Sequence, residues 1–174
     1  MRKPNVAKKR KPKILPVRLY NKYYPTDMFD PKKAYDQALM LIYNSVANER
    51  EDELLYDYLI NEAPSEDQRL IITSIRDDER KHNKMLRELY YQLTGMDVPP
   101  NQGNEPVAAP ESFLAGIKQA LFGELGAVER YRQILYGMPN QTYRNMITEI
   151  YTDELKHASK YNYLFTTNYA QPMI

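Results

Sequence analysis

Two short strings carry residues that can do chemistry. Asp78-Glu79-Arg80-Lys81-His82 contains Glu-x-x-His, and Asp153-Glu154-Leu155-Lys156-His157 repeats it 75 residues on. On a helix, residues three apart share a face, so each Glu and His can reach one metal ion together. One such string is common on a solvated helix surface. Two matched copies, each with a preceding Asp and a Lys at the same place, point to a metal site instead.

The match extends well beyond the two strings, without a gap. A shift of 75 places Glu49 on Glu124, Tyr56 on Tyr131, Pro64 on Pro139 and Arg69 on Arg144. It also places Ile72-Thr73 on Ile147-Thr148, Ile75 on Ile150 and Leu89 on Leu164. Two copies of a helical hairpin predict an all-α, antiparallel four-helix bundle rather than a solenoid.

The elements that must position these residues can be read in turn. Asp30 can cap and Pro31 suits the first helical position. Ala34, Ala38, Leu41, Ile42 and Val46 then form an inward stripe. Glu49, Glu53 and Tyr56 continue it to a stop before Pro64. A carboxylate on a buried stripe is costly unless something compensates its charge, and a metal does so. Ser65-Glu66-Asp67-Gln68 opens a second helix as a capping box. Its stripe is Leu70, Ile71, Ile75, Asp78, Glu79, His82, Leu86 and Leu89, and Gly95 ends it. Residues 96–109 form a crossover linker. The third helix runs from Pro110-Glu111 to Tyr136, with Gly137 as its stop. Phe113, Ile117, Leu121, Glu124, Val128 and Tyr131 share one face. Pro139-Asn140 starts the fourth, whose stripe holds Ile147, Ile150, Glu154, His157 and Tyr161. Residues 166–174 read as a tail that packs in part.

Glu49 lies 15 residues before Pro64, and Glu79 lies 15 after it. At ~1.5 Å per residue both sit about 22 Å from the turn. Glu124 and Glu154 stand in the same relation to Pro139. Antiparallel helices therefore bring Glu49, Glu79, Glu124 and Glu154 to one level with His82 and His157. A Glu from each of two helices and Glu-x-x-His from the other two is the dinuclear carboxylate arrangement. Four carboxylates neutralise two divalent ions.

Composition bounds the rest. The 174 residues suit one domain with a sizeable core. There is no cysteine, which excludes disulfides and thiolate metal sites. Positions 1–15 lack the apolar run of a signal peptide, and no stretch has the length of a membrane span, so a soluble intracellular protein is expected. Residues 1–22 hold nine Lys or Arg and no acid, while the other 15 basic and 23 acidic residues leave the body at −8. Residues 1–26 are thus a basic arm, expected to be disordered when free, ahead of a bundle domain over 27–174 with halves at about 31–95 and 110–168. Two readings of the arm stand: adhesion to an anionic partner, or a solubilising and assembly role. The chain has sixteen tyrosines. Core and core-edge packing explains them more simply than oxidative cross-linking or electron transfer. No phosphate-cradling glycine motif is visible, and a Ser-His-Asp triad is disfavoured because both histidines sit in the matched metal strings.

Glu49 with Tyr56 seven residues later, followed by Asp78-Glu79-x-x-His82, all repeated, resembles the ferritin-like di-iron superfamily over roughly residues 31–165. The rubrerythrin-like branch is the most similar, since both halves carry Glu-x-x-His. The resemblance implies Glu49, Glu79, His82, Glu124, Glu154 and His157 as ligands of two iron ions, with manganese as the alternative. It implies oxidoreductase chemistry of peroxidase, catalase or ferroxidase type. Two features depart from rubrerythrins. Their additional glutamate, three residues after the third-helix ligand, is Ala127 here. Their cysteine-ligated rubredoxin domain is not expected, so electrons would come from an external donor. The competing reading is a non-enzymatic, metal-stabilised component of a structural or coat-type assembly. A homo-oligomer is expected under either.

The repeat also nominates residues behind the ligands. Asp78 and Asp153 each precede a ligand glutamate, and a metal-bound imidazole commonly donates its other N–H to a carboxylate. The expected pairs are crossed, Asp78 with His157 and Asp153 with His82. Tyr56 and Tyr131 lie two turns beyond Glu49 and Glu124, placed to bond a ligand carboxylate, to carry a radical, or to pack in the core. Lys81 and Lys156 read as solvated.

Overall fold

The computed structural model describes residues 30–47, 49–99 and 108–169, and for residues 49–52 the backbone alone. The basic arm with Tyr20, Tyr23 and Tyr24, the middle of the linker and the last five residues lie outside the described residues.

Every described element is a helix: α1 (Pro31–Ala47), α2 (Glu49–Asn61), α3 (Glu66–Thr94), α4 (Phe113–Gly137) and α5 (Gln141–Tyr169). The predicted first helix corresponds to α1 and α2, which flank residue 48; that residue lies outside the described residues. Among the described residues no helix is long and apolar enough to cross a membrane.

Local chemistry sets the ends. Asp30 Oδ1 accepts from the Lys32 and Lys33 amides at 3.0 and 3.3 Å, satisfying donors that the first turn of α1 leaves open. Ser65 accepts from the Gln68 amide at 3.3 Å to start α3, and Gly95 ends that helix in the left-handed region at φ 72°. Asn140 Oδ1 accepts from the Tyr143 amide at 2.9 Å, and α5 follows.

Four expectations are corrected. Ser112, not Pro110-Glu111, caps α4, accepting from the Ala115 amide at 3.2 Å. Gly137 does not end α4 through a left-handed turn. It is buried as the last residue of the helix, and a Cβ there would overlap the Ala34 carbonyl of α1. Its small size permits the close approach of α1 to α4. Helix α5 runs to Tyr169, so residues 166–169 are helical rather than tail. Asn168 exchanges amide hydrogen bonds with the buried Gln68, and Tyr169 stacks on Phe165 with centroids 5.7 Å apart. Leu70 is 58% exposed. The buried series on α3 is Ile72, Ile75, His82, Leu86 and Leu89, and Leu70 is out of phase with it.

Helix α4 packs most extensively on α5, α1 lies against α4 and α3, and α2 lies against α3. The core has two parts. One joins Ile42, Val46, Leu86, Leu89, Ile134, Ile147 and Ile150. The other joins Leu59, Ile72, Ile75, Ile117, Tyr161 and Leu164. Each fully buried aliphatic side chain stabilises by ~1.5–3 kcal/mol. Residue numbers show what lies between the two parts. On α3 the gap falls between Ile75 and Leu86, on α4 between Ala120 and Ala127, and on α5 between Ile150 and Tyr161. A polar layer fills that gap.

Candidate metal centre

The layer is built from Glu79 and His82 on α3, Glu124 on α4, and Glu154 and His157 on α5. His82, Glu154 and His157 are at most 1% exposed, and Glu124 is 5% exposed. Glu79, Glu124, Glu154 and His157 each offer one ligand atom, and those atoms lie within 4.8 Å of one another. His82 Nδ1 joins them from the side, 3.3 Å from Glu154 Oε1 and 3.5 Å from Glu79 Oε1. His157 Nδ1 stands 3.0 Å from Glu79 Oε1 and 3.7 Å from Glu124 Oε2. The two rings are 5.8 Å apart. Glu49 is the first residue of α2, and its side chain lies outside the described residues.

The far side of each ring is also held. His157 Nε2 lies 3.1 Å from Asp78 Oδ2, and His82 Nε2 lies 3.2 Å from Asp153 Oδ2. These are the crossed pairs expected from the repeat. A carboxylate only accepts, so each Nε2 carries the hydrogen and each Nδ1 is directed at the layer. There the oxygens are close but not aligned for hydrogen bonds. Glu79 Oε1, Glu154 Oε1, His82 Nδ1 and His157 Nδ1 are buried without a hydrogen-bond partner. Atoms arranged in this way converge on a shared point rather than on each other, as metal ligands do.

The charges respond to this crowding. Burial pushes the Glu154 carboxyl up to about 9; the His82 contact opposes the shift, while Glu124 and Glu79 add to it. Burial works against a charge on His82, but Glu154 and Glu79 outweigh it and raise the ring to about 10. Burial likewise opposes ionisation of Glu79, and the two imidazoles hold its pKa below the ordinary carboxylate value. The layer therefore retains protons on Glu154 and His82.

No family model matches the chain. It is similar to the uncharacterized protein YhjR of Bacillus subtilis (strain 168), at 30% identity over 103 residues, which are 59% of this chain and 69% of YhjR. The chain belongs to the YhjR family. Among solved structures, it is similar to a hypothetical protein from Pyrococcus furiosus, with a TM-score of 0.63, 19% identity and coverage of 84% of this chain and 96% of that one. That likeness is one of fold.

Several residues of this YhjR-family chain play parts that the sequence reading missed. Lys156 is not simply solvated. Its Nζ lies 2.7 Å from Asp153 Oδ1 and 3.1 Å from Asp78 Oδ2, so it ties together the two aspartates behind the histidines. Lys81, its repeat partner, pairs with Glu149. The repeat held the signal for this difference. A shift of 75 carries Glu149 onto Ser74, so Lys156 has no acid at the matching place and turns to the aspartates. Ser74 instead accepts from Lys160 at 2.8 Å.

Tyr56 and Tyr131 are both buried. They border a cavity of about 270 Å³ that lies between α2 and α4, beside Glu79, Glu124 and Glu154. Glu53, expected on the inward stripe, stands at this cavity and receives two 2.7 Å hydrogen bonds from Arg80. Ala127 and Arg130 of α4 also face it. The cavity had no signal in the sequence, because it depends on how far α2 stands from α4.

Proposed function

We propose that this chain is a dinuclear metal carboxylate protein with a ferritin-like four-helix bundle, α1 and α2 together serving as the first bundle helix. Glu79, His82, Glu124, Glu154 and His157 would hold two transition-metal ions, with Glu49 the sixth ligand that the repeat implies. Iron is the leading metal and manganese the alternative, since carboxylate and imidazole suit both. The observation that carries this reading is the convergence of Glu79 Oε1, Glu154 Oε1, His82 Nδ1 and His157 Nδ1, all buried without hydrogen-bond partners. Without a cation, that many ionisable groups on one buried layer are expensive.

The function is redox chemistry with oxygen or a peroxide. Bound iron would supply one-electron exchange with either. Asp78 and Asp153 fix the tautomer and angle of the two imidazoles. Apolar clusters lie above and below the layer. The chain has no cysteine, so electrons come from an external donor. The functional form is a homo-oligomer, and the basic arm reaches an anionic partner.

Loading the full chain with Fe(II) under argon should give about two iron atoms per chain by elemental analysis, following the two-metal arrangement. A value near zero, or one unchanged by Glu79→Ala with His157→Ala, overturns the metal reading. Oxygen and peroxide consumption by the loaded protein tests the redox part. Two bound metals with no consumption would leave a metal-stabilised assembly component.

A further inference from the structure

The cavity at the cluster, of about 270 Å³, is lined by Glu79, His82, Glu124 and Glu154 and by Ala127, Arg130 and Tyr131 further along α4. Leu86, Ala120, Ala127 and Tyr131 give it apolar walls. Two arginines reach it. Arg80 is neutralised by its paired hydrogen bonds to Glu53. Arg130 makes no ion pair among the described residues, and its Nε is buried without a hydrogen-bond partner. Its guanidinium carbon stands 5.6 Å from the Tyr131 ring centroid.

An unsatisfied buried donor is costly, and a ligand oxygen would remove that cost. A guanidinium matches a carboxylate in shape and charge better than any neutral group. Once bound metal neutralises the Glu layer, Arg130 is the cavity's uncompensated charge among the described residues. Small side chains on α4 keep the room open: Gly123, Ala120 and Ala127 lie about a turn apart on the face that carries Glu124. A Cβ at Gly123 would meet nothing within 4 Å.

We infer that the cavity receives a small organic acid, whose carboxylate Arg130 binds and whose hydrocarbon part lies along α4 beside the Glu124 and Glu154 layer. This rests on the metal reading above and names the substrate class of the same site.

The test is calorimetric titration of straight-chain carboxylates, from acetate to decanoate, into the full chain. It is run on metal-free and manganese-loaded protein, with metal content measured on the same samples. Affinity should rise about three- to fourfold per added CH2 while the chain lies within the cavity. Arg130→Gln should weaken the best acid at least tenfold, and Arg130→Lys should restore part of the loss. Alcohols of equal length should bind weakly and ignore Arg130. No carboxylate binding in either form, or equal binding by Arg130→Gln, overturns the inference. Two metals with no carboxylate binding defeat this inference alone. Carboxylate binding that needs Arg130 in a protein that takes up no metal supports the pocket and defeats the metal reading.

Discussion

Asp78 on α3 and His157 on α5 meet across the centre, with Oδ2 and Nε2 3.1 Å apart, and Asp153 returns the contact to His82 at 3.2 Å. Each aspartate lies on the helix of one Glu-x-x-His string and orients the imidazole of the other. Asp78→Asn and Asp153→Asn should each lower metal affinity ~10–100-fold, because an amide still accepts the N–H but withdraws the charge that strengthens the ligand. Competition with a chromophoric chelator measures this. Unchanged affinity in both variants would reduce the aspartates to surface residues.

The metal-free protein should lose stability as pH rises. Glu154 at about 9 and His82 at about 10 both lie above their ordinary values of 4.5 and 6.5. Their stabilising contributions are complete below the unfolded values and fade as pH climbs through 9 and 10. Glu79 works in the opposite direction, and its contribution is lost as pH falls below 4.5. The melting temperature of the metal-free chain should therefore fall steadily from pH 6 to pH 10. Metal loading at pH 7.5 should release about two protons per chain, as ligands exchange protons for metal. An indicator dye in weak buffer reads that release, and none at full loading would contradict the assignment of Glu154 and His82 as ligands.

Two glycines of α4 should respond in opposite ways to the same substitution. A Cβ at Gly137 would overlap the Ala34 carbonyl, whereas one at Gly126 meets nothing within 4 Å. Gly137→Ala should destabilise by ~1–3 kcal/mol through overpacking between α1 and α4. Gly126→Ala should stabilise by ~0.5–1 kcal/mol, the usual gain inside a helix. Urea denaturation of the two variants decides the matter, and equal effects would mean that α1 does not approach α4 at Gly137.

Lys156 and Lys81 match in the repeat and differ in what they touch. Burial raises the pKa of Asp78 and Asp153, but His157 and Lys156 at the first, and Lys156 and His82 at the second, bring both below the ordinary value. Lys156→Met should move both aspartates upward in a carboxylate-detected NMR titration. Lys81→Met, which removes the exposed pair with Glu149, should leave them in place. Equal shifts in the two variants would show that Lys156 has no special role.

Much of the site was legible in the chain because helices convert spacing into position. A spacing of three from Glu79 to His82, and from Glu154 to His157, puts each pair on one face. Equal distances from Pro139 place Glu124 and Glu154 at a common height, and the 75-residue repeat suggests the crossed Asp78 and Asp153 contacts. The caps at Ser65, Gly95 and Asn140 were legible for the same local reason. Periodicity names a face but not what lies opposite it or how far away. Only the tertiary structure decided that Gly137 carries the contact with Ala34, that Lys156 bridges two aspartates while Lys81 finds Glu149, and that Leu70 is left outside. It alone set the gap between α2 and α4 into which Arg130 reaches. These depend on distances between helices, which are set by the packing of whole side chains and not by the order of residues along any one helix.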